Sequence, residues 1–478
     1  MSADRHQLNV PGVRPGRLSF QPVRSPYSGD AIAEVEQADG AVLERALDCH
    51  EGLFSDRDAW LPLHRRVEVL RRAAATMRSR RQELARLIAL EGGKPLTDAL
   101  VEVDRAVNGV ELCGEEAARL HGQQVPMGAT ASSMGRTAYT VREPVGPVAA
   151  ISAFNHPLNL VVHQAGPAVA AGCPVVVKPA PATPLSALAF VAILHEAGLP
   201  EEWCIALPCG DEVAERLATS ARIAFLSFIG SERVGWTLRS RLAPGVRCAL
   251  EHGGVAPVIV DESADLEQAA PLILKGGYYH AGQVCVSVQR VFAHTRVKDE
   301  LVDRLAAGAA ALAVGDPLLP ATEVGPLIRQ REVDRVHEWV GEAAGAGATV
   351  ATGGRPLGHQ CYEPTLLVDT PPDTRAMQLE VFGPMVSVVG YEDLDIAVAS
   401  ANSLPFAFQA AVFTRDLHRA ERAAARLDAT AVMVNDHTAF RVDWMPFGGR
   451  RRSGLGMGGI PYAMEDVTQT KMVVTRAG

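Results

Sequence analysis

Cys285 stands in Gly282-Gln283-Val284-Cys285-Val286, between a run that reads as helix and one that reads as strand. A thiolate adds readily to a carbonyl carbon, and the thioester left after oxidation stays open to water, so a loop cysteine suits aldehyde oxidation. The plainer reading of an isolated cysteine is a small core residue. Glu251, in Leu250-Glu251-His252-Gly253-Gly254, reads either as a turn carboxylate or as a general base for hydrolysis. Asn155, in Ala153-Phe154-Asn155-His156-Pro157, reads as the cap of a helix beginning near Pro157 and as an amide donor to an oxyanion.

A second group suits a dinucleotide. Lys178 follows Val175-Val176-Val177 and precedes Pro179, where a lysine at a strand's carboxyl end can reach ribose hydroxyls or a phosphate, or can simply snorkel to solvent. Gly230-Ser231 ends one apolar run and opens a helix, an arrangement that suits a pyrophosphate. Gly454, Gly456 and Gly459 fit GxGxxG, but three arginines precede them and too little chain follows for a βαβ unit. That segment is expected to be a flexible loop near the substrate mouth or a subunit contact, with Arg450-Arg451-Arg452 as a solvated or anion-facing loop.

The elements that would position these residues follow from periodicity. Residues 1–25 read as loosely structured, and about 39–121 as helical, with Val67, Leu70, Ala74, Met77, Leu84 and Leu87 on one face. A polar stretch at 122–146 reads as a hairpin or arm. Strands are expected at 148–152, 174–177, 205–207, 223–228 and 248–250, with helices at 159–171, 184–197, 211–219 and 231–242. A second alternation places strands at 258–260, 290–292, 386–389, 410–413 and 431–434, with helices near 264–278, 297–313, 327–345, 393–402 and 416–427. The tail at 471–475 reads as an edge strand. Short apolar strands alternating with helices make an α/β chain with parallel sheets, whose ligands bind at strand ends and between domains.

Composition narrows the function. The 478 residues are 47% hydrophobic and 21% charged with net charge −9, which leaves no electrostatic footprint for nucleic acid. No apolar run is long enough to span a membrane and no signal segment is recognisable, so a soluble cytoplasmic protein is expected. None of the 8 cysteines forms a CxxC pair, so they read as reduced thiols and no metal is expected.

Taken in order, these segments resemble the aldehyde dehydrogenase superfamily over nearly the whole chain. The likeness begins at Gly93-Lys94-Pro95 and runs through the Asn155, Lys178, Ser231, Glu251 and Cys285 motifs. It continues to Glu380-Val381-Phe382-Gly383-Pro384, Pro446-Phe447-Gly448-Gly449 and Ser453-Gly454. The resemblance implies a Rossmann-like cofactor domain (1–121 and 143–250), an α/β catalytic domain (251–435), an oligomerisation arm (122–142 and 460–478) and a returning loop (436–459). It implies Cys285 as nucleophile, Asn155 and the Cys285 amide as oxyanion hole, and Glu251 as activator of the hydrolytic water. It further implies Ser152, Phe154, Lys178, Pro181, Gly230, Ser231, Glu380 and Phe382 around NAD or NADP. A homodimer or homotetramer is expected.

Departures from the family pattern matter. Pro181 stands where many NAD-preferring members carry a ribose-binding glutamate; it neither accepts those hydrogen bonds nor repels a 2′-phosphate, so NADP competes with NAD, which stays first. His252 replaces a leucine beside Glu251, where it would tune the base or serve only as a structural substitute. Pocket candidates are Phe154, His156, Leu158, Val284, Val286, Phe440, Arg441, Asp443 and Trp444. His156-Pro157-Leu158-Asn159 resembles the lactaldehyde and phosphonoacetaldehyde branch, although Val284 replaces the arginine of phosphonate users. A small polar aldehyde or a semialdehyde held by Arg441 or Arg105 is the expected substrate. The alternatives are a CoA-acylating dehydrogenase, which generally lacks the counterpart of Glu251, a non-catalytic scaffold on the same fold, and a cofactor-free esterase activity of Cys285.

Overall fold

Short runs of valine, isoleucine and phenylalanine build two largely parallel sheets, as β-branched and aromatic residues fit a surface buried on both faces. The computed structural model describes residues 4–476; residues 1–3 and 477–478, at the outer ends of the expected cofactor domain and arm, lie outside the described residues. The first sheet has 6 strands in the order Gly454–Leu455, Arg247–Glu251, Phe225–Ile229, Val148–Ile151, Val175–Lys178, Cys204–Ala206. All pairs are parallel except that of Gly454–Leu455 with Arg247–Glu251.

Register in this sheet gathers the chemistry. Ile151 pairs with both Lys178 and Phe228, and Glu251 pairs with Ile229. Ser152, Lys178, Gly230 and Glu251 therefore reach one carboxyl edge together, where an open parallel sheet takes its ligands.

The second sheet has 7 strands in the order Thr349–Thr352, Thr365–Val368, Met385–Tyr391, Arg290–His294, Pro257–Val260, Gln409–Phe413, Ala431–Val434. It turns the opposite end to the crevice. Gly253, Cys285 and Glu380 each lie a few residues before the strands Pro257–Val260, Arg290–His294 and Met385–Tyr391, so the amino ends of these neighbouring strands carry them. Thr468–Arg476, Arg136–Pro144 and Gln124–Val125 form a separate antiparallel sheet. Among the described residues, no helix is long and apolar enough to cross a membrane.

Several expectations are corrected. The N-terminal stretch is ordered: Asp4–His6 and Phe20–Arg24 flank Ala31–Glu36 in a small sheet. The buried Glu36 carboxylate ties it together by accepting the amides of Leu8, Gly16 and Leu18. The helical face read through Val67 and Leu87 breaks at Arg80, between the helices Leu63–Ser79 and Arg81–Gly92. The segment expected to be a flexible loop supplies the edge strand Gly454–Leu455. Its three arginines are held at the surface by carboxylates, Arg450 and Arg451 by Asp428 and Arg452 by Glu232.

Asn155 does not cap a helix. The helix Asn159–Ala171 has no side-chain cap of its own; the amides of Leu158 and Asn159 both donate to Glu102 Oε1 at 3.1 Å, from the neighbouring helix Leu96–Arg119. A carboxylate at a helix N-terminus satisfies orphan amides and complements the dipole. Glu102 also pairs with fully buried Lys94. The helix is buried throughout and ends at Gly172, whose φ of 91° is the left-handed stop that glycine supplies.

Candidate active site

A cavity of about 580 Å³ opens between the two sheets. Cys285, Glu251, Asn155, Lys178, Ser152, Phe154, Gly230, Ser231, Glu380, Phe382, His156, Val284, Val286, Phe440, Arg441 and Arg105 all line it. Pro181 does not: it sits on an exposed turn beyond Lys178. Leu158 is buried in the core, Asp443 lies behind the wall, and Trp444 is exposed outside it.

The nucleophile's loop is shaped by strain and by one glutamine. His280, Ala281 and Gly282 run consecutively at φ 48°, 54° and 70°, a conformation that costs energy in non-glycine residues and persists only when surroundings enforce it. A Cβ on Gly282 would collide with the Gly383 carbonyl. Buried Gln283 pins the turn: Nε2 donates to the carbonyls of His280 and Pro326 at 3.3 Å, and Oε1 accepts the Ile328 amide at 2.9 Å. This is the structural reason for glycine and glutamine ahead of the cysteine. Cys285 itself is half-buried. Burial, then the nearby Glu251 carboxylate, pushes its thiol up to about 12, with Arg441 pulling the other way.

Asn155 Nδ2 donates to the Gln283 carbonyl at 2.9 Å. An amide nitrogen carries two protons, so one donor is left for a ligand beside Cys285. Burial raises the Glu251 carboxyl, offset in part by Arg441. Its side chain rests on Gly458, where any Cβ would collide with Oε1. His252 also lines the cavity. Its Nδ1 donates to the Gly230 carbonyl at 3.0 Å, and its ring packs edge-on to Phe228 and Trp236 over Gly235. It braces the first turn of the helix Glu232–Ser240, so the expectation that it tunes Glu251 gives way to the structural alternative.

The other end of the cavity has the features of a dinucleotide site. Ser231 opens the helix Glu232–Ser240 with no side-chain cap, leaving first-turn amides for an anion. The hydroxyl of Ser152 and Glu380 Oε1 are buried with no partner among the described residues. Burial raises the Glu380 carboxyl to about 8, against Arg335 and the Gly254 amide. It occupies space over Gly253 that a Cβ would fill. Phe382, at φ 47°, meets the edge of Phe154. Burial lowers the Lys178 ammonium.

The opposite end holds Tyr279 and Lys275, which sequence reasoning passed over, beside the expected His156 and Arg105. Tyr279 Oη lies 3.3 Å from His156 Nε2, and Lys275, on the wall, pairs with Asp98 at 2.7 Å. Asp443 is buried and accepts from Arg105 Nη2 at 2.7 Å and Nε at 3.2 Å, from His163 Nε2 at 2.7 Å and from Asn159 Nδ2 at 3.2 Å. Burial favours its neutral form, but the His163 and Arg105 bonds outweigh it and hold the carboxyl well below the ordinary range. Arg105, one of the two arginines expected to meet a substrate carboxylate, is thus already paired. Asn159 and His163 lie one helical turn apart on the same face, a spacing that could have flagged them as partners.

The model of the Aldehyde dehydrogenase family matches residues 14–473. The 3-sulfolactaldehyde dehydrogenase of Priestia megaterium is 41% identical over 432 residues, 89% of this chain and 90% of that protein. Aspartate-semialdehyde dehydrogenase 1 of Pseudomonas canavaninivorans is 38% identical, covering 94% and 95%. Aldehyde dehydrogenase 21 from Physcomitrella patens, solved with the reaction product succinate, superposes with TM-score 0.95 at 34% identity over 100% of this chain and 99% of that one. Glyceraldehyde-3-phosphate dehydrogenase from Methanocaldococcus jannaschii, complexed with NADP, superposes with TM-score 0.92 at 31% identity over 97% and 100%.

Proposed function

The chain belongs to the aldehyde dehydrogenase family, and on that premise we propose that it oxidises a small anionic aldehyde to the carboxylic acid through a thioester on Cys285, with NAD or NADP as the oxidant. The observation that carries this reading is the convergence of Cys285, Asn155 and Glu251 on one cavity whose far wall offers unpartnered donors and acceptors for a dinucleotide.

Cys285 Sγ, having lost its proton, attacks the aldehyde carbon, and the carbonyl π pair moves onto oxygen. The free Asn155 N–H and the Cys285 amide take that oxyanion; one such donor is worth about 3 kcal/mol of barrier. A nicotinamide held beside Glu380 and Phe382 would supply the hydride acceptor, and the acyl group stays on Cys285 Sγ. Glu251 takes a proton from water, which adds to the thioester; collapse breaks the C–S bond and returns the thiolate. The sum is aldehyde, oxidised cofactor and water going to acid, reduced cofactor and a proton.

Ser231 and the first-turn amides would hold the pyrophosphate, Lys178 and Ser152 the adenosine ribose, and Glu380 and Phe382 the nicotinamide side. Pro181 carries no carboxylate to repel a 2′-phosphate, so NADP is taken as well as NAD, with NAD kept first.

Arg441 suits an anionic substrate. It lines the cavity beside Cys285 and, among the described residues, forms no ion pair, whereas Arg105 and Lys275 do. The relatives named for sulfolactaldehyde and aspartate semialdehyde, and the succinate complex, point the same way.

We further infer the division into cofactor, catalytic and arm units stated above. The outer edge of Thr468–Arg476, with Met472 and Val474 exposed, would pair with another copy.

The test is reduced-cofactor formation with NAD and NADP over neutral, carboxylate-bearing and sulfonate-bearing aldehydes, for wild type and Cys285→Ala. Turnover by wild type alone, fastest with an anionic aldehyde, is expected; equal rates across the panel would overturn the substrate reading.

A further inference from the structure

Resting on the reading of Arg441 as the substrate's anion contact, we propose that His163, which does not reach the cavity, is a positioning residue that presents Arg441 to an acidic group of single charge, and that the network behind the wall selects monoanionic aldehydes over dianionic ones.

The hydrogen bonds settle the tautomer. Arg441 Nη2 lies 3.2 Å from His163 Nδ1, and a guanidinium can only donate, so Nδ1 accepts. The imidazole proton is then on Nε2, which donates to Asp443 at 2.7 Å. His163 is neutral with both nitrogens used. Burial, then Arg441, holds its pKa down to about 4, so it keeps this form through the physiological range.

Phe447 completes the cradle. The Arg441 guanidinium carbon lies 3.5 Å from that ring's centroid, while Arg441 Nε is buried without a partner among the described residues. One face of the guanidinium is covered, one nitrogen is tethered, and its remaining donors are free for a ligand. A guanidinium fixed in this way loses less freedom on binding a carboxylate or sulfonate than a mobile one.

The charge count follows. Asp443 compensates Arg105, and Asp98 compensates Lys275. His163 orients Arg441 without neutralising it, since the bond it offers is a lone pair and not a carboxylate. Arg441 forms no ion pair among the described residues, and the nearby Glu251 carboxylate offsets part of its charge, so this end offers a ligand at most one positive charge. A phosphate dianion would require a second. Within this network it could come only from protonating His163, and that would remove the lone pair Arg441 is tied to. An uncompensated charge in a buried site is costly, so the dianion is disfavoured.

The experiment compares kcat and KM for wild type, His163→Leu, His163→Asn and Arg441→Ala. The aldehydes are of equal length and bear a carboxylate, a sulfonate, a phosphate or no charge. Wild type should favour both monoanions over the phosphate and the neutral compound. His163→Leu should lower the anionic-to-neutral ratio of kcat/KM by about tenfold or more, the loss lying in KM, since a hydrogen bond to a charged group carries about that much. His163→Asn, whose carbonyl can stand in for Nδ1, should restore most of the ratio. Equal losses on charged and neutral aldehydes, or no rescue by Asn, would reduce His163 to a packing residue. If Arg441→Ala destroys the ratio while His163→Leu leaves it intact, the positioning claim falls and the anionic-substrate reading stands. If Arg441→Ala also leaves it intact, both fall. Preference for the phosphate aldehyde would overturn the charge count alone.

Discussion

Asn155 Nδ2 donates to the carbonyl of Gln283 at 2.9 Å, and Gln283 is itself fixed by the backbone of His280, Pro326 and Ile328. The oxyanion donor and the nucleophile's loop are therefore one rigid unit. Asn155→Ala should cut kcat by about a hundredfold to a thousandfold while leaving cofactor affinity near wild type. Steady-state kinetics with a fluorescence titration of the reduced cofactor would check this. A loss confined to KM would place Asn155 in ground-state binding instead.

Cys285 should be a slow nucleophile at rest. With burial and Glu251 raising its thiol to about 12, the thiolate fraction is small near neutrality and grows about tenfold per pH unit. Alkylation of the free enzyme by iodoacetamide should therefore rise steadily from about pH 7 to about pH 10 without a plateau. The sign of each neighbour follows: Glu251→Gln removes a negative charge, lowers the thiol and speeds alkylation at a given pH, whereas Arg441→Ala slows it. A plateau near neutrality would mean the thiolate is already formed.

Glu251 is assigned to the second half of the reaction, so its loss should separate the two halves. In Glu251→Gln a rapid burst of reduced cofactor, about one per site, should be followed by turnover slowed about a hundredfold or more. Added CoA or another thiol should speed release of the trapped acyl group, and mass spectrometry should find it on Cys285. If the burst vanishes with the steady state, Glu251 serves the attack step as well.

Much of this was legible in the sequence because it is local. Strands such as Val175–Lys178 are contiguous apolar runs, and Lys178, Glu251 and Ser231 stand at their ends, where parallel register brings carboxyl edges together. What stayed hidden depends on partners far away in the chain. Asn155 reads as a helix cap until Glu102, on another helix, is seen to hold the amides of Leu158 and Asn159. His163 is one more buried residue in an apolar helix until Asp443, 280 residues on, reaches it. The strand Thr365–Val368 is not legible because its apolar run, Leu366 to Val368, is only three residues between Pro364-Thr365 and Asp369, and its place comes from pairing with Met385–Tyr391. The His280–Gly282 turn is set by tertiary packing against Gly383, which no local propensity reports.

The Lys94–Glu102 pair yields a stability prediction with an asymmetry. Both side chains are fully buried. Glu102 also accepts two helix amides, whereas Lys94 has no other hydrogen-bond partner among the described residues. Glu102→Ala should therefore strand a buried ammonium and uncap the helix Asn159–Ala171, costing about 3–5 kcal/mol. Lys94→Met should cost less, because Glu102 keeps both amide bonds and the methionine fills the space. Because that helix carries Asn159 and His163 and follows Asn155, Glu102→Ala should also reduce kcat, and reduce it more than the neutral carboxamide variant Glu102→Gln, whose carbonyl can still accept the amides. Chemical denaturation of the variants alongside wild type would rank them. A Lys94→Met variant as unstable as Glu102→Ala would show that the ion pair, and not the cap, holds this corner of the active site together.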